Sequence, residues 1–358
     1  MFETIHKGEW RSLLRGYKQN DEIKINELFF RVFQTKRSIE EWNWKFSNSL
    51  KHRPLITVYE EDDEIVGHAA ALVFEGEIGG KRALFAERID VMVHPAHRGK
   101  GVYQKVIQHL MEQCQKNGIN FVYGYPAPKA KELFIRYMDG REITYVPRLM
   151  KFLSPGKLVM GRFVFFKKIS FLFTWIDRLL KKSKKIPADL TVERVSRADA
   201  KFDLLWDRAG KDYDVLLKRD ADYLNWRYFE HPTRKYEVYL VSTDKKIIGY
   251  FVIRKETQQK NSQSINFIHI IDLLCANNGQ DITQIVLGIL SKTNEADIVS
   301  TWSLSHTNHY KILKSKAGFF HIGNPMPLVG KALHFEEFTE NVFDKSAWYV
   351  SQGDVDSY

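Results

Sequence analysis

The chain has 358 residues, of which 44% are hydrophobic, 13% aromatic and 27% charged, and its formal net charge is +10. This length exceeds what one hydrophobic core usually serves, and the apolar content excludes an intrinsically disordered chain, so we expect two packed domains. The two cysteines, Cys114 and Cys275, have no metal-ligand spacing around them. They predict a reducing cytoplasm and no metal site.

Two further classes are excluded by the same inspection. The first residues lack an apolar core and a small-residue cleavage site, and the apolar stretch 169–176 is too short to span a bilayer, so we expect a cytoplasmic protein. Segment 157–185 carries nine Lys or Arg and a single acid, Asp177. Because the positive charge is concentrated there, we expect no nucleic-acid partner.

The first half of the chain alternates helical and strand patterns. Apolar residues at helical spacing predict a helix over 21–33, capped by Asn20 or Asp21, and Ser38 begins a second, short helix. The further elements are strands near 54–60, 64–75 and 82–93, a helix over 100–117, a strand over 121–125, a helix over about 128–138 and a strand over about 143–152. This order predicts an α/β fold with a mixed sheet.

The sequence also contains an internal repeat at an offset of 182 residues. The segment 43–46, Asn-Trp-Lys-Phe, returns at 225–228 as Asn-Trp-Arg-Tyr, and Gly67 returns as Gly249. Ile89-Asp90 returns at 271–272 in the same register. The repeat predicts a duplication with domains at 1–152 and 190–358 and a linker at 153–189.

The linker is basic and rich in phenylalanine. Its apolar residues follow a 4-3-4-3 spacing that predicts an amphipathic helix: Phe165, Ile169, Leu172, Ile176 and Leu179. Such a helix bridges the domains or forms a homodimer. The alternative is a peripheral contact of 157–185 with an anionic membrane surface.

A short basic loop follows the predicted strand 82–93. Arg98-Gly99-Lys100-Gly101 stands between this strand and the helix over 100–117. The first N–H groups of a helix and its dipole favour an anion, and glycine lets the backbone approach it closely. The alternative is a plain turn with solvated basic side chains.

Arg98-x-x-Gly101 after a strand that ends in Val93-x-Pro95 resembles the pyrophosphate-binding motif of the GNAT acetyltransferase superfamily. The resemblance implies two tandem GNAT-like domains and acetyl-CoA as co-substrate. It assigns the pantetheine arm to the backbone of Val91, Met92 and Val93. It assigns the pyrophosphate to Arg98, Gly99, Lys100, Gly101, Val102 and Tyr103. The family has Gly or Ala where Tyr103 stands, so this ring points away from the phosphate or packs on the cofactor.

The resemblance also implies two catalytic residues. Glu87 lies on the strand that carries the general base in the family, and Tyr137 lies on the helix that carries the general acid. Each has a structural alternative. Glu87 forms an ion pair with Arg82 or Arg88, and Tyr137 is a packing residue.

The second copy lacks the phosphate loop. The counterpart of Arg98–Gly101 is 280–283, Gln-Asp-Ile-Thr, which has no glycine and carries an acid. We therefore expect a degenerate domain that walls off the acceptor site. Asp90 recurs as Asp272 in this copy, which indicates a structural role. Trp44 and its counterpart Trp226 are interpreted as core packing, with an aromatic platform for the acceptor as the alternative.

These patterns predict an acetyl-CoA-dependent N-acetyltransferase that acts on a small amine. An amino sugar is favoured as acceptor because the basic balance of the chain disfavours polycations. Two other functions stay open: a non-catalytic acyl-CoA-binding sensor and an aminoacyl-tRNA-dependent transferase.

Overall fold

The computed structural model describes residues 12–48, 50–162, 170–181, 186–244, 246–260, 263–276, 281–334 and 340–356. They form two mixed β-sheets with helices packed against them, which confirms the predicted α/β class. No helix in the described part of the chain has the length and apolarity needed to cross a membrane.

The first half of the chain supplies seven strands and four helices. The strands are β1 (Ser12–Gly16), β2 (Leu55–Glu61), β3 (Glu64–Ile78), β4 (Lys81–Val93), β5 (Phe121–Gly124), β6 (Arg141–Val146) and β7 (Arg148–Phe152). The helices are α1 (Asp21–Phe33), α2 (Ile39–Trp42), α3 (Val102–Lys116) and α4 (Pro128–Met138). The predicted helix boundaries lie within two residues of the observed ones. Strand β1 was not predicted.

The second half follows a similar order. Its strands are β8 (Leu190–Val195), β9 (Val215–Leu217), β10 (Glu237–Thr243), β11 (Lys246–Lys260), β12 (Gln263–Cys275), β13 (Ile298–Trp302), β14 (Phe320–His321) and β15 (Met326–Ala332). Its helices are α7 (Ala200–Ala209), α8 (Ala221–Leu224), α9 (Ile282–Lys292) and α10 (Asn308–Ser315). Strands β10, β11 and β12 begin and end 182 residues after β2, β3 and β4.

Each sheet contains a strand from the other half of the chain. The first sheet has the order β1-β2-β3-β4-β5-β15-β6, with β9 on β3, and the second has the order β14-β7-β13-β12-β11-β10-β8. The single strand predicted over 143–152 is broken at Pro147 into β6 and β7 because proline has no N–H for a ladder bond. The proposed boundaries 1–152, 153–189 and 190–358 therefore describe chain segments that share sheets.

The recurring glycine of the repeat has a packing reason. A Cβ atom on Gly67 would lie 2.5 Å from the Val102 side chain in the first turn of α3. A Cβ atom on Gly249 would lie 2.7 Å from the Ile285 side chain in the first turn of α9. Both glycines let a helix begin close to its sheet, and in the first sheet this fixes where α3 starts.

The described part of the linker forms two helices. They are α5 (Pro155–Arg162) and α6 (Ser170–Leu180), while Phe165 and Ile169 lie outside the described residues. The Asp177 carboxylate of α6 accepts hydrogen bonds from the Gly156 and Lys157 N–H groups at the start of α5 (2.9 and 3.0 Å). An acceptor at this end also suits the dipole of α5.

Both linker helices are also tied to the second sheet. The buried Asp297 carboxylate, beside β13, accepts hydrogen bonds from Lys157 Nζ, Ser154 Oγ and Lys181 Nζ, at 2.5, 2.7 and 2.9 Å. Burial alone would raise the pKa of Asp297, but these donors and the Asn266 N–H hold it well below its ordinary value. The linker is therefore anchored through one carboxylate.

Candidate active site

The loop after β4 has the backbone that close approach to an anion requires. Gly99 and Gly101 adopt left-handed conformations with φ of 78° and 76°, which side chains other than glycine rarely adopt. The first intrahelical bond of α3 runs from Lys105 N–H to Gly101 O (3.2 Å). The N–H groups of Val102 and Tyr103 at the helix start therefore have no intrahelical acceptor, and Gly101 has no side chain to cap them.

The basic residues of this loop point to solvent, and two histidines hold its base. Arg98 and Lys100 are exposed. His94 Nδ1 accepts a hydrogen bond from the Ala96 N–H (3.3 Å), and His97 Nε2 lies 3.1 Å from the Glu61 carboxylate. The histidines thus shape the loop, while its amides and its charges remain accessible.

Tyr103 packs against the protein. Its ring is half-buried against the core beneath α3, and its hydroxyl donates to Ala130 O of α4 (3.4 Å). This orientation matches the first of the two alternatives given for an aromatic residue at this position. Tyr103 thus leaves the Gly99–Gly101 backbone open.

Strands β4 and β5 separate beside the loop. They pair in parallel only from Phe85–Phe121 to Glu87–Tyr123, although β4 continues to Val93. A bulge at Asp90, whose φ is 47°, shifts the register of β4 against β3. The gap is a cavity of about 330 Å³, which we call the wedge cavity. Its wall includes Glu87, Arg88, Ile89, Asp90 and Val91 of β4, Tyr125 to Ala127 after β5, and Asp356.

The three strand residues assigned to pantetheine occupy different positions. Val91 lines the wedge cavity and is half-buried. Met92 is 1% exposed and packs in the core, so only its backbone could contact a ligand. Val93 ends β4 directly before the loop. An extended strand edge of this kind offers N–H and C=O groups to an amide-bearing chain.

Asp90 belongs to a buried ionic network. Its carboxylate pairs with Arg37, and His68 Nδ1 lies 2.7 Å from its backbone oxygen. Burial would raise the pKa of Asp90, but Lys45 and Arg37 hold it at about 2. In the second sheet Asp272 pairs with Arg219 at 3.2 Å, and Arg219 lies 182 residues after Arg37. This recurring pair supports a structural role for Asp90, and the sequence reading missed its arginine.

Glu87 is buried at the inner end of the wedge cavity. It is 4% exposed, and its Oε1 accepts the Asp356 N–H at 3.1 Å. Burial raises its pKa well above the ordinary value, and the nearby Asp356 carboxylate raises it further, while Arg227 acts in the opposite direction. Within the described residues neither Arg82 nor Arg88 forms an ion pair with it. The carboxyl is therefore available to exchange a proton.

Arg88 has a different contact. Its guanidinium lies 4.5 Å from the centre of the Phe134 ring, and it is 6% exposed. It thus supports α4 against β4 and does not neutralise Glu87.

Tyr137 and Tyr125 differ in their position relative to the wedge cavity. Tyr137 is 42% exposed on α4 and is not part of the wall of the cavity. Tyr125, which follows β5, is part of that wall, and burial raises its pKa well above the ordinary value. The sequence analysis missed Tyr125, although its place at the end of the predicted strand 121–125 was a usable signal.

Asp356 was also missed, because nothing local marks it. Its carboxylate pairs with Lys45 Nζ at 3.0 Å, and its N–H binds Glu87. Lys45 belongs to the repeated segment, where its counterpart is Arg227, so the repeat did mark the lysine of this ion pair. The other end comes from a segment with no recognisable motif.

The corresponding region of the second sheet is filled by the chain itself. The Tyr349 hydroxyl donates to Leu273 O, and Leu273 lies 182 residues after Val91. Helix α9 begins after Asp281, with no glycine at its start, while Gln280 lies outside the described residues. A negative charge at this helix start disfavours a phosphate. In the described residues of the second region, Tyr349 thus occupies the place next to Leu273, and Asp281 stands at the helix start where the first region has Gly101.

The comparisons agree with this geometry. Residues 14–132 match a family model described as an acetyltransferase (GNAT) domain. Among curated protein sequences none matches the chain significantly. Among the described residues no group of three or more His, Cys, Asp or Glu side chains is placed to hold a metal ion.

Solved structures share the fold at low sequence identity. A GCN5-related N-acetyltransferase from Anabaena variabilis ATCC 29413 has a TM-score of 0.66 at 14% identity, covering 90% of this chain and 73% of its own. A probable N-acyltransferase from Enterococcus faecalis V583 has a TM-score of 0.66 at 12% identity, with 92% and 74% covered. Saccharomyces cerevisiae N-myristoyltransferase with bound myristoyl-CoA has a TM-score of 0.56 at 12% identity, with 89% and 82% covered.

Residues 14–132, which contain the glycine loop at the start of α3 and the splayed strands β4 and β5, thus match the model of a GNAT acetyltransferase domain. The chain as a whole shares its fold with structures of GCN5-related N-acetyltransferases.

Proposed function

We propose that the protein is an acetyl-CoA-dependent N-acetyltransferase that acetylates the amine of a small molecule. The observation that carries the proposal is the wedge cavity, whose wall on β4 runs from Glu87 to Val91, two residues before the end of the strand that leads into the glycine loop. A thioester in this cavity would have its diphosphate at the start of α3 and its acyl group near Glu87. Binding and chemistry would then be supplied by one strand, β4.

Glu87 is the proposed general base. A carboxyl whose pKa is raised well above its ordinary value is a stronger base than an ordinary carboxylate, which suits it to removing a proton from an ammonium group, directly or through a water. The free amine then attacks the thioester carbonyl, a C–N bond forms, the C–S bond breaks, and CoA leaves as a thiolate that takes up a proton. The products are an acetamide and CoA.

The proton for the thiolate has two proposed sources. The sequence analysis favours Tyr137, which is exposed on α4 and does not line the wedge cavity. Tyr125 lies in that wall and keeps its proton at neutral pH. A comparison of Tyr125→Phe with Tyr137→Phe tests the choice, and we expect the larger loss of kcat from Tyr125→Phe.

The test of the proposed function is a pair of measurements. Calorimetry with acetyl-CoA should detect one site per chain, because the counterpart segment 280–283 of the second copy has no glycine. Release of free thiol should then depend on an added amine, and the panel should include glucosamine as an amino sugar. Uptake of acetyl-CoA without turnover of any amine would favour the sensor, and saturable binding of tRNA but not CoA would favour the aminoacyl-tRNA-dependent transferase.

We propose in addition that α6 contacts an anionic membrane surface. Trp175, Ile176, Leu179 and Leu180 are 59%, 38%, 51% and 44% exposed. Their exposure supports a role of this face at a surface rather than as a bridge between the domains. The excess of basic residues in 157–185 would repel a second copy in a symmetric dimer and would attract anionic lipid. Membrane contact is therefore favoured over a homodimer formed through this face.

A further inference from the structure

The two faces of β4 pack against different helices. Phe85 and Ile89 belong to the core that contains α1, whereas Ala86 belongs to the core beneath α3. Side chains alternate across a strand, so Glu87 projects to the side of α1. Tyr123, the register partner of Glu87 on β5, also belongs to the core of α1. The carboxyl of the proposed base therefore lies on the α1 side of the first sheet.

The glycine loop lies on the other side of the sheet. Val102, the first residue of α3, packs in the same core as Ala86. A diphosphate at the start of α3 would thus be on the α3 side, and the thioester would reach Glu87 through the gap between β4 and β5. An amine must then approach the thioester from the side that the cofactor leaves open. That side is the α1 side of the wedge cavity.

The α1 side of the wedge cavity is aromatic. Phe29 and Phe33 of α1 line it, and their ring centroids are 4.8 Å apart with an interplanar angle of 56°. Phe33 is 47% exposed although it is part of the wall, so its ring lies at the mouth of the cavity. Ile89 and Val355 add two apolar side chains from the same core. Aromatic rings therefore stand between solvent and the carboxyl of Glu87.

The carboxylates of this wall other than Glu87 are already paired. The Asp90 carboxylate pairs with Arg37, and the Asp356 carboxylate pairs with Lys45 Nζ at 3.0 Å. An acceptor rich in hydroxyl groups would lose water here against apolar side chains and paired charges, which costs free energy. An apolar substituent gains free energy when it leaves water for such a wall. The wall thus favours an amine on an apolar group over an amino sugar.

From this geometry we propose that the acceptor is an arylalkylamine, whose amine lies at Glu87 and whose aromatic ring packs on Phe33 and Phe29 at the mouth of the wedge cavity. The inference rests on the proposed function and names its acceptor. Aromatic rings prefer tilted or offset contacts with centroids about 4.5–7 Å apart, and Phe29 and Phe33 already contact each other in this way. A ring on the acceptor extends this contact, whereas a sugar ring offers no π face to it.

The experiment measures kcat/KM for four amines with acetyl-CoA: phenethylamine, ethylamine, 2-cyclohexylethylamine and glucosamine. In the native protein phenethylamine should have the highest value. In Phe33→Ala the ratio of kcat/KM for phenethylamine to that for ethylamine should fall about tenfold, because only phenethylamine has a ring that loses its aromatic partner. The loss should appear in the KM for phenethylamine, since the ring is bound equally before and during the reaction. Calorimetry should detect the same affinity for acetyl-CoA as in the native protein.

The matched control is Phe30→Ala, which removes the same side chain from the same helix. Phe30 is 43% exposed and does not line the wedge cavity, so its removal should leave the ratio unchanged within about twofold. An equal fall of the ratio in this control, or an unchanged ratio in Phe33→Ala, would overturn the inference.

Three further results would also overturn it and leave the acetyltransferase intact. They are weaker acetyl-CoA binding by Phe33→Ala, which would assign the ring to the cofactor, equal turnover of 2-cyclohexylethylamine and phenethylamine, and a preference of the native protein for glucosamine. If calorimetry with the native protein detects no acetyl-CoA binding, the proposed function itself fails. The two failures are therefore distinguishable.

Discussion

Trp44 and Trp226 form a reciprocal pair across the two halves of the chain. Trp44 Nε1 donates to Trp226 O at 2.8 Å, and Trp226 Nε1 donates to Trp44 O at 3.1 Å. Their rings are stacked with centroids 4.9 Å apart and an interplanar angle of 10°. The indole N–H of each tryptophan thus binds the backbone oxygen of the other. This buried reciprocal contact accounts for a tryptophan at this position in both copies.

Replacing Trp44 by phenylalanine should lower the free energy of unfolding by about 1–3 kcal/mol, because the Trp226 backbone oxygen loses its buried donor. Trp226→Phe should have a similar effect. Urea denaturation measures both changes, and the double variant Trp44→Phe/Trp226→Phe measures their coupling. Should the two losses add without coupling, the reciprocal contact would not act as one unit.

Glu87→Gln should lower kcat by about 10²- to 10⁴-fold, since the amide cannot accept a proton from the acceptor. The affinity for acetyl-CoA, measured by calorimetry, should be retained. In the native protein activity should rise with pH through the raised pKa of Glu87. Asp356→Asn should move this rise to lower pH, because a repelling charge is removed; a shift to higher pH would contradict the assignment.

The raised pKa of Glu87 also predicts how the stability of the protein depends on pH. Because the folded pKa of Glu87 lies above its ordinary value of 4.5, the folded state binds its proton more tightly than the unfolded state. The free energy of unfolding should therefore fall as pH rises from 4.5 toward the folded pKa. Glu87→Gln should remove this slope in denaturation measured at several pH values. A slope that survives in the variant would have to come from other groups.

The glycine loop can be tested with a control of equal backbone strain. Gly101 and Gly80 have φ of 76° and 75°, and no atom lies near a Cβ added at either position. Alanine at each should cost about 1–2 kcal/mol of stability. Only Gly101→Ala should also weaken acetyl-CoA binding in calorimetry. The loss is about tenfold if the loop of the variant relaxes in the free protein and must return to the strained backbone when the cofactor binds. Equal affinities in the two variants would argue against a phosphate cradle.

The exposed face of α6 predicts binding to lipid. Trp175→Ser/Leu179→Ser should reduce co-sedimentation with anionic vesicles by at least about tenfold, since two large apolar side chains no longer enter the interface. Leu204→Ser/Ile135→Ser is the control, because those residues are 65% and 38% exposed elsewhere. Binding that is insensitive to the first pair, or that is equal for neutral vesicles, would exclude this surface.

Much of the fold was predictable because its signals are local. The predicted helices over 21–33 and 128–138 have the observed boundaries, since apolar spacing along a helix is set within the element. The loop at Gly99–Gly101 was recognisable because a left-handed backbone selects glycine. The prediction of one continuous strand over 143–152 was wrong. Two short strands that pair in different sheets have the same local sequence pattern as one long strand.

The sequence by itself determined the repeat, the glycine loop and the position of Glu87 on its strand, since each depends on neighbouring residues. Only the tertiary structure decided that β7 and β15 change sheets, that Tyr349 closes the second wedge and that Asp356 lies at Glu87. The last contact joins residues 269 positions apart. Contacts of that span depend on which surfaces pack together, and the local pattern of a segment does not specify its distant partner.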